Sequence, residues 1–254
     1  MIPMPGKLNQ QVAVITGGAS GIGAGIARRF AQEGARIVIA DRDRATGEQL
    51  ATKLSSSSFV EMDVTQAESV AQGIQSVIDR YGQVDILVNN AGIDGEQAPT
   101  ADCSLENWNA VRSTNLDGVF YGMKTALKTM ELQGSGVILN LASVCGIRGV
   151  RKLPAYAAAK AGVIHLTKAT ALEYAPKGIR VNALCPSVVH TSLLEHFITH
   201  CEDPEATRQR MDNFNPMPGM VTVEAVASAA LFLCSDEAQF ITGVDLPIDG
   251  GYTI

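Results

Sequence analysis

The segment Gln11–Thr16, QVAVIT, is a short apolar, β-branched run that stops at Gly17-Gly18-Ala19-Ser20-Gly21-Ile22-Gly23, after which a helical pattern continues through Glu33. Apolar β-branched runs favour strands and clustered glycines mark turns, so the segment reads as strand, turn, helix. Glycines at 17, 21 and 23 let the backbone turn sharply, let a diphosphate approach, and let the helix pack on the strand. The helix N-terminus adds free N–H groups for an anion. Dinucleotide binding is the expected task, with Gly17, Ser20, Gly21, Ile22 and Gly23 as cofactor-contacting residues.

Arg36–Asp41, RIVIAD, repeats the strand pattern and ends in an acid. It lies about 20 positions beyond the turn, where such a carboxylate meets the adenosine ribose. A carboxylate accepts both ribose hydroxyls and repels a 2′-phosphate, so Asp41 favours NAD over NADP. Arg42 pulls the other way, since a guanidinium can hold that phosphate, but Ser20 leaves the turn itself without a cation. NAD is the expected cofactor and NADP the alternative. A competing reading of Asp41 is a cap for the helix that follows.

The alternation continues with a strand over Phe59–Asp63, a helix over Gln66–Tyr81, and a strand over Val84–Asn89 that runs into Asn90-Ala91-Gly92. In an open parallel sheet the ligand crevice lies beyond such strand ends. Asp63 and Val64 are therefore expected to flank the adenine. Asn90, Ala91 and Gly92 are expected to line the adenosine and ribose, unless they only make a tight turn. Ser104-Leu105-Glu106 starts a helix that runs to about Leu132. Ser113-Thr114-Asn115 inside it prefer local bonds to backbone and predict a bend that turns the Asn115 amide toward the crevice.

Gly136–Leu141 reads as the fifth strand, with Ser143 just past its end, and Ile179–Cys185 as the sixth, ending at Pro186. A helix begins at Thr222 and runs to Ser235, and Gly243–Ile248 is the last strand before Asp249-Gly250-Gly251. Between them, His190–Gly219 shows no clear alternation and carries Pro204, Pro216 and Pro218 among apolar residues that include Leu193 and Phe197. It reads as one or two short helices closing as a lid over a largely apolar substrate, or as a surface insertion.

Tyr156 and Lys160 stand four residues apart at the start of an alanine-rich helical pattern, on one face of the helix. An isolated phenol titrates near pH ~10, and an ammonium beside it favours the phenolate, so the pair can serve as a general base. The intervening loop, with Gly146, Gly149 and Pro154, can fold Ser143 back toward the phenol.

The chain has 254 residues, 46% hydrophobic and 24 of them glycine, which suits one α/β domain over residues 1–254. A net charge of −6 and the absence of a lysine and arginine cluster exclude nucleic acid and anionic membranes as partners and point to a small molecule. No run of about 18 apolar residues is present to span a bilayer, and Met1–Gln10 lacks the apolar core of a secretory signal, so a cytoplasmic protein is expected. Cys103, Cys145, Cys185, Cys201 and Cys234 are scattered and read as idle thiols. His190, His196, His200 and Cys201 fall close together, but without a metal-ligand spacing, so no metal is expected.

In order and spacing, Thr16-Gly17-x-x-x-Gly21-x-Gly23, Asp63, Asn89-Asn90-Ala91-Gly92, Asn115, Ser143, Tyr156-x-x-x-Lys160, Pro186 with Thr191, and Asp249-Gly250-Gly251 resemble the short-chain dehydrogenase/reductase family over nearly the whole chain. The resemblance implies a Rossmann-like, doubly wound domain with a seven-stranded parallel sheet in the order 3-2-1-4-5-6-7 and helices on both faces. It implies a catalytic tetrad of Asn115, Ser143, Tyr156 and Lys160. Tyr156 exchanges the alcohol proton while hydride passes between the same carbon and the nicotinamide. Lys160 lowers the phenol pKa and holds the nicotinamide ribose, Ser143 donates to the substrate oxygen, and Asn115 holds a water that links Lys160 to solvent. Pro186, Val189 and Thr191 are implied at the nicotinamide amide, and Ser143, Cys145, Tyr156, Leu193 and Phe197 at the substrate. One departure is Pro186-Ser187 where the family commonly has Pro-Gly, and serine tolerates fewer backbone angles.

The expected activity is oxidation of a secondary alcohol, or reduction of its ketone, with a homotetramer as the assembly and the C-terminal Tyr252-Thr253-Ile254 at an interface. An NADPH-dependent 3-oxoacyl-thioester reductase shares the tetrad, and a non-catalytic dinucleotide sensor is the reading from another class. Arg148, Arg151 and Lys152 either attract an acidic substrate or are solvated.

Overall fold

The computed structural model describes residues 6–200 and 202–254, so Cys201 lies outside the described residues. Its strands are β1 (Val12–Thr16), β2 (Arg36–Asp41), β3 (Ser57–Glu61), β4 (Ile86–Asn89), β5 (Gly136–Leu141), β6 (Ile179–Pro186), β7 (Val189–His190), β8 (Val221–Thr222) and β9 (Asp245–Ile248). The main sheet has seven strands in the order β3-β2-β1-β4-β5-β6-β9, and every pairing in it is parallel. The order expected from the sequence is observed. The seventh sheet strand is the ninth in the chain only because β7 and β8 form a separate two-stranded pair.

The period-two alternation of the strands divides the apolar residues between two cores. Val12 and Val14 of β1 and Val38 and Ala40 of β2 face a core completed by α3 (Ala67–Tyr81), α5 (Gly118–Gln133) and α6 (Pro154–Tyr174). Ala13 and Ile15, with Ile37 and Ile39, face the other, completed by α1 (Gly21–Gln32), α2 (Arg44–Lys53) and α9 (Val223–Cys234). Ile26 and Phe30 of α1 are fully buried, each contributing about 1.5–3 kcal/mol, which fixes α1 and the turn before it against the sheet.

Boundaries differ from the sequence reading at several elements, β4 among them, which starts at Ile86 rather than Val84. β3 begins at Ser57 rather than Phe59, because Ser57 and Ser58 ladder with Ile37 and Val38, and strand pairing overrides the weak strand preference of serine. The helix expected from Ser104 to Leu132 is α4 (Leu105–Arg112) joined to α5 by a π-helical turn, Ser113–Asp117, which is the predicted bend. The last strand starts at Asp245, because Gly243 turns the chain with φ +77°. Within 190–219 lie two short helices, α7 (Ser192–His200) and α8 (Pro204–Asp212).

Candidate active site

β1 delivers the chain to the carboxyl edge of the sheet, where Gly17 and Gly21 take φ of +61° and +52°, a region open to glycine at no steric cost. A Cβ on Gly17 would stand 2.8 Å from Ala91 Cα, and one on Gly23 would overlap the Gly17 carbonyl oxygen. Ser20 precedes α1 in extended backbone, its hydroxyl caps nothing, and no acid stands in the first turn. The first N–H groups of α1 are therefore left to an external anion, as a diphosphate requires. Ile22 packs on the core and holds that turn down.

Asp41, at the end of β2, accepts the Ala19 N–H on Oδ2 at 3.0 Å and the Asp43 N–H on Oδ1 at 3.1 Å. The expected ribose acid thus also anchors the glycine turn, while capping of α2 falls to Asp43, whose Oδ1 accepts the Thr46 N–H at 3.0 Å. Arg42 is exposed. Asp63 closes a local turn by accepting the Thr65 N–H and hydroxyl at 2.9 and 2.8 Å. The side chain of Val64 is 9% exposed and lies against Gly118 of α5, so it faces the core and not the crevice where it was expected.

Asn90 Nδ2 donates to the carbonyls of Thr16 and Gly17, both at 3.0 Å, and the Thr16 hydroxyl accepts the N–H groups of Asn90 and Ala91 at 3.0 and 3.2 Å. The two loops are locked side by side. Gly92 is exposed and adjoins the catalytic residues, where a Cβ would be 3.3 Å from Asn115 Oδ1 and 3.7 Å from Lys160 Nζ.

The four expected catalytic residues come from three elements. Asn115 is fully buried in the π-helical turn, and its amide faces Ile93: Oδ1 accepts the Ile93 N–H and Nδ2 donates to the Ile93 carbonyl, each at 2.8 Å. Pro154 starts α6, and Tyr156 and Lys160 share a face of it with Nζ 5.6 Å from the phenol ring centre. Lys160 is buried and donates to the Leu141 carbonyl at 2.6 Å. Ser143 is buried just past β5, accepts the Cys145 N–H at 3.2 Å, lies 3.4 Å from the Pro186 carbonyl, and its hydroxyl pulls the Tyr156 pKa down.

The electrostatics correct one expectation. Burial pushes the Tyr156 phenol well above its ordinary value, Asp94 and Cys145 add to that, and the Ser143 hydroxyl opposes it. Burial also lowers Lys160 to about 8, against an upward pull from Asp94. Among the protein's own groups, then, the lysine does not bring the phenol down, because desolvation outweighs an ammonium that is turned toward Leu141.

At the far end of the crevice Pro186 is buried, and Ser187 donates its N–H to the Ile248 carbonyl at 3.1 Å. Ser187 has no positive φ, so the departure from Pro-Gly costs no left-handed strain, and its Oγ is buried without a hydrogen-bond partner. Val189 pairs with Val221. Thr191 Oγ1 accepts the Leu194 N–H at 3.3 Å, and its methyl faces Gly21, where a Cβ would be 3.8 Å away. The glycine turn and the start of the 190–219 segment thus approach each other.

Cys145 is half-buried and its thiol is raised by burial. Leu193 and Phe197 belong to α7, but their side chains lie outside the described residues. Glu195 of α7 bonds Arg208 of α8 at 2.5 Å and His190 at 2.9 Å, while His196 and His200 stack at 4.1 Å. Among the described residues no group is placed to hold a metal ion. Arg148 is exposed, and it donates to the Tyr252 carbonyl at 2.7 Å and lies over the Tyr252 ring, which stacks on Phe214. Thr253 is bonded to Asp249, so of the C-terminal triplet Ile254 is the residue left exposed.

Two features escaped the sequence reading. Asp94 acts on Tyr156, Lys160 and Cys145; its signal was an acid two residues past Asn90-Ala91-Gly92. Beneath the site, Asn89 Nδ2 donates to Asn140 Oδ1 at 2.8 Å and Asn140 Nδ2 to Thr167 Oγ1 at 2.9 Å, a buried polar chain that ties β4, β5 and α6 together. Its signal was an asparagine inside each of two apolar strands.

A family model described as enoyl-(acyl carrier protein) reductase matches residues 17–253. Levodione reductase of Leifsonia aquatica is 37% identical over 96% of this chain and 95% of its own. Cyclohexanol dehydrogenase of an Acinetobacter species is 35% identical over 98% of each. The crystal structure of a 3-ketoacyl-(acyl-carrier-protein) reductase from Brucella melitensis, complexed with NADH, superposes with a TM-score of 0.88 at 36% identity, covering 97% of this chain and 100% of that one.

Proposed function

The chain belongs to the short-chain dehydrogenase/reductase family, and from that premise we propose that it is an NAD-preferring dehydrogenase of cyclic or otherwise bulky apolar secondary alcohols, with Tyr156 as general base. As a member it is an oxidoreductase that passes hydride between a secondary alcohol, or its ketone, and a nicotinamide cofactor. The reading rests chiefly on one observation: Tyr156 and Lys160 share a face of α6 at the carboxyl end of β5, where Lys160 is bonded to the Leu141 carbonyl and buried Ser143 follows two residues on.

The residues present fit a dinucleotide. Gly17 and Gly23 let the turn close tightly on Ala91 and on itself, Gly21 is open on the side where a Cβ would stand, α1 has uncapped N–H groups, and Ser187 Oγ is an orphaned polar atom. Asp41 and the carbonyl-rich turn would hold the adenosine ribose, the N-terminus of α1 the diphosphate, and Lys160 with Pro186, Val189 and Thr191 the nicotinamide half. The oxidised nicotinamide, when bound, supplies a hydride acceptor and a positive charge.

In the oxidation direction Ser143 donates to the substrate oxygen and Tyr156 takes its proton, while the hydride departs from the carbon that bears that oxygen. In reduction Tyr156 returns the proton. Lys160 is fixed by Leu141, so its remaining hydrogens are aimed without further ordering. Asn115 fixes Ile93 with its side chain, which leaves its main chain for a proton path between Lys160 and solvent.

The preference for NAD rests on Asp41 and on Ser20, which brings no cation to the turn, and the same pair counts against the NADPH-dependent 3-oxoacyl-thioester reductase. A cyclic substrate is in keeping with the apolar residues of α7 and with the cyclohexanol dehydrogenase relative. Leu105, Phe120 and Leu132, exposed on α4 and α5, are the surfaces we assign to a homotetramer. No helix among the described residues is long and apolar enough to cross a membrane, and the free thiols suit a cytoplasmic setting.

Initial rates with NAD and NADP across aliphatic, cyclic and aromatic secondary alcohols test the reading. Tyr156→Phe should lose on the order of 100- to 10,000-fold in kcat while dinucleotide binding, read by fluorescence, stays close to wild type. Substantial residual turnover would sink the base assignment.

A further inference from the structure

We propose that Asp94 is a specificity-determining residue of this site, accepting a hydrogen bond from a second hydroxyl of the substrate and disfavouring substrates that carry a negative charge near the reacting carbon. The inference rests on the dehydrogenase reading above. Its basis is the path of the chain from Asn90 to Pro99, which crosses beside the reacting groups and is pinned on both sides of Asp94.

On the inner side, Gly92 sits where a Cβ would be 3.7 Å from Lys160 Nζ. Ile93 packs with Tyr156 in a small apolar cluster, and both of its backbone polar atoms are held by the Asn115 amide at 2.8 Å. On the outer side, Gly95 turns with φ +73° at a place where a Cβ would overlap Val111. The Asn107 amide then bridges the N–H and carbonyl of Glu96 at 2.9 and 3.1 Å, and the Ala98 N–H donates to the Lys152 carbonyl at 2.9 Å. Asparagine clamps thus stand before and after Asp94, so its backbone position is fixed to the catalytic helix and its surroundings.

The side chain itself is exposed and has no hydrogen bond or ion pair among the described residues. Of the cations in the neighbouring loop, Arg148 is bound to Tyr252, and among the described residues neither Arg151 nor Lys152 makes an ion pair with Asp94. Yet the Asp94 charge is felt by Tyr156, Lys160 and Cys145, which come from α6 and from the loop after β5. A carboxylate without a protein partner, on a fixed backbone one residue from Ile93, which packs in the cluster with Tyr156, and two from Gly92, which adjoins Lys160, is arranged to meet the substrate. An ionised carboxylate only accepts. A substrate hydroxyl aimed at it makes a charge-assisted hydrogen bond, whereas a substrate carboxylate is repelled.

A second signature follows from the groups that face the phenol. These are Lys160 on its own helix, Ser143 and Cys145 from the loop after β5, and Asp94 from the pinned segment. Removing the Asp94 charge removes one contribution that raises Tyr156, so the pH at which the base becomes available should fall.

The test is steady-state kcat/KM for cyclohexanol, a cyclohexanediol and a hydroxycyclohexanecarboxylate with the wild type, Asp94→Asn and Asp94→Ala. The ratio of diol to cyclohexanol should fall on the order of 10- to 100-fold in Asp94→Ala, the ratio of the carboxylate to cyclohexanol should rise in both variants, and the ascending, acidic limb of the kcat/KM profile for oxidation should move to lower pH in both. Equal losses on all three substrates, or unchanged ratios and an unmoved pH limb, overturn the role of Asp94 alone. A wild type that oxidises none of the alcohols with NAD or NADP overturns the dehydrogenase reading, and the inference with it.

Discussion

Asn115 grips Ile93 at two points, its Oδ1 accepting the Ile93 N–H and its Nδ2 donating to the Ile93 carbonyl, each at 2.8 Å. The side chain can reach because Ser113–Asp117 widens into a π-helical turn, with the Gly118 N–H bonded back to Ser113. A side chain expected to point its amide into the crevice fixes the segment that carries Gly92 and Asp94.

Asn115→Ala therefore leaves two backbone groups of Ile93 without partners. Each such group costs about 1–3 kcal/mol when buried, so urea unfolding should show a lowered midpoint with an unchanged slope. Asn115→Asp retains the acceptor and loses the donor, and should fall between the two. A variant as stable as the wild type would mean that water replaces the clamp without loss.

Asp41 joins cofactor choice to the shape of the turn, because the carboxylate assigned to the ribose also holds the Ala19 N–H at 3.0 Å. Asp41→Ala should lower the ratio of kcat/KM with NAD to that with NADP by about tenfold or more, through loss of both the acceptor and the repulsion of a 2′-phosphate. It should also weaken NAD binding, since Ala19 loses its anchor. Asp41→Asn can keep an oxygen on Ala19 while removing the charge, and so separates the two effects. An unchanged ratio in both variants would place ribose recognition elsewhere.

What was legible in the sequence was whatever local pattern decides. The alternation of β-branched runs with helical patterns gave the sheet, and glycines at 17, 21 and 23 gave the turn, because steric exclusion of a Cβ is a property of the position itself. Long-range partners were not legible. Arg148 reads as a loop cation, but its place is decided by Tyr252, about a hundred residues away, at 2.7 Å. Val64 reads as a crevice residue until Gly118 packs against it. The phenol pKa was misjudged for the same reason, since i,i+4 spacing shows the lysine but not the burial that opposes it.

Burial of Lys160 should leave a mark on stability itself. Its pKa is lowered from 10.5 to about 8, with desolvation the largest cause. Below pH 8 the lysine is protonated in both states and the folded chain bears the full cost of a buried ammonium. Between 8 and 10.5 the unfolded chain still holds a proton that the native chain has released, so stability rises with pH across that window. The two values imply a rise of about 3 kcal/mol in all. Tyr156, whose pKa is raised from 10, acts in the opposite sense only above that pH, where the native chain keeps a proton the unfolded chain has lost. The thiols of Cys145, Cys185 and Cys234, raised by burial from 9, oppose the lysine in the same sense from about pH 9, so the clean interval is pH 8 to 9. Urea midpoints measured there without dinucleotide should climb for the wild type, and Lys160→Met should flatten the climb whatever it does to the midpoint at neutral pH. Parallel pH profiles for the two proteins would show that the lysine is charged in the native chain throughout.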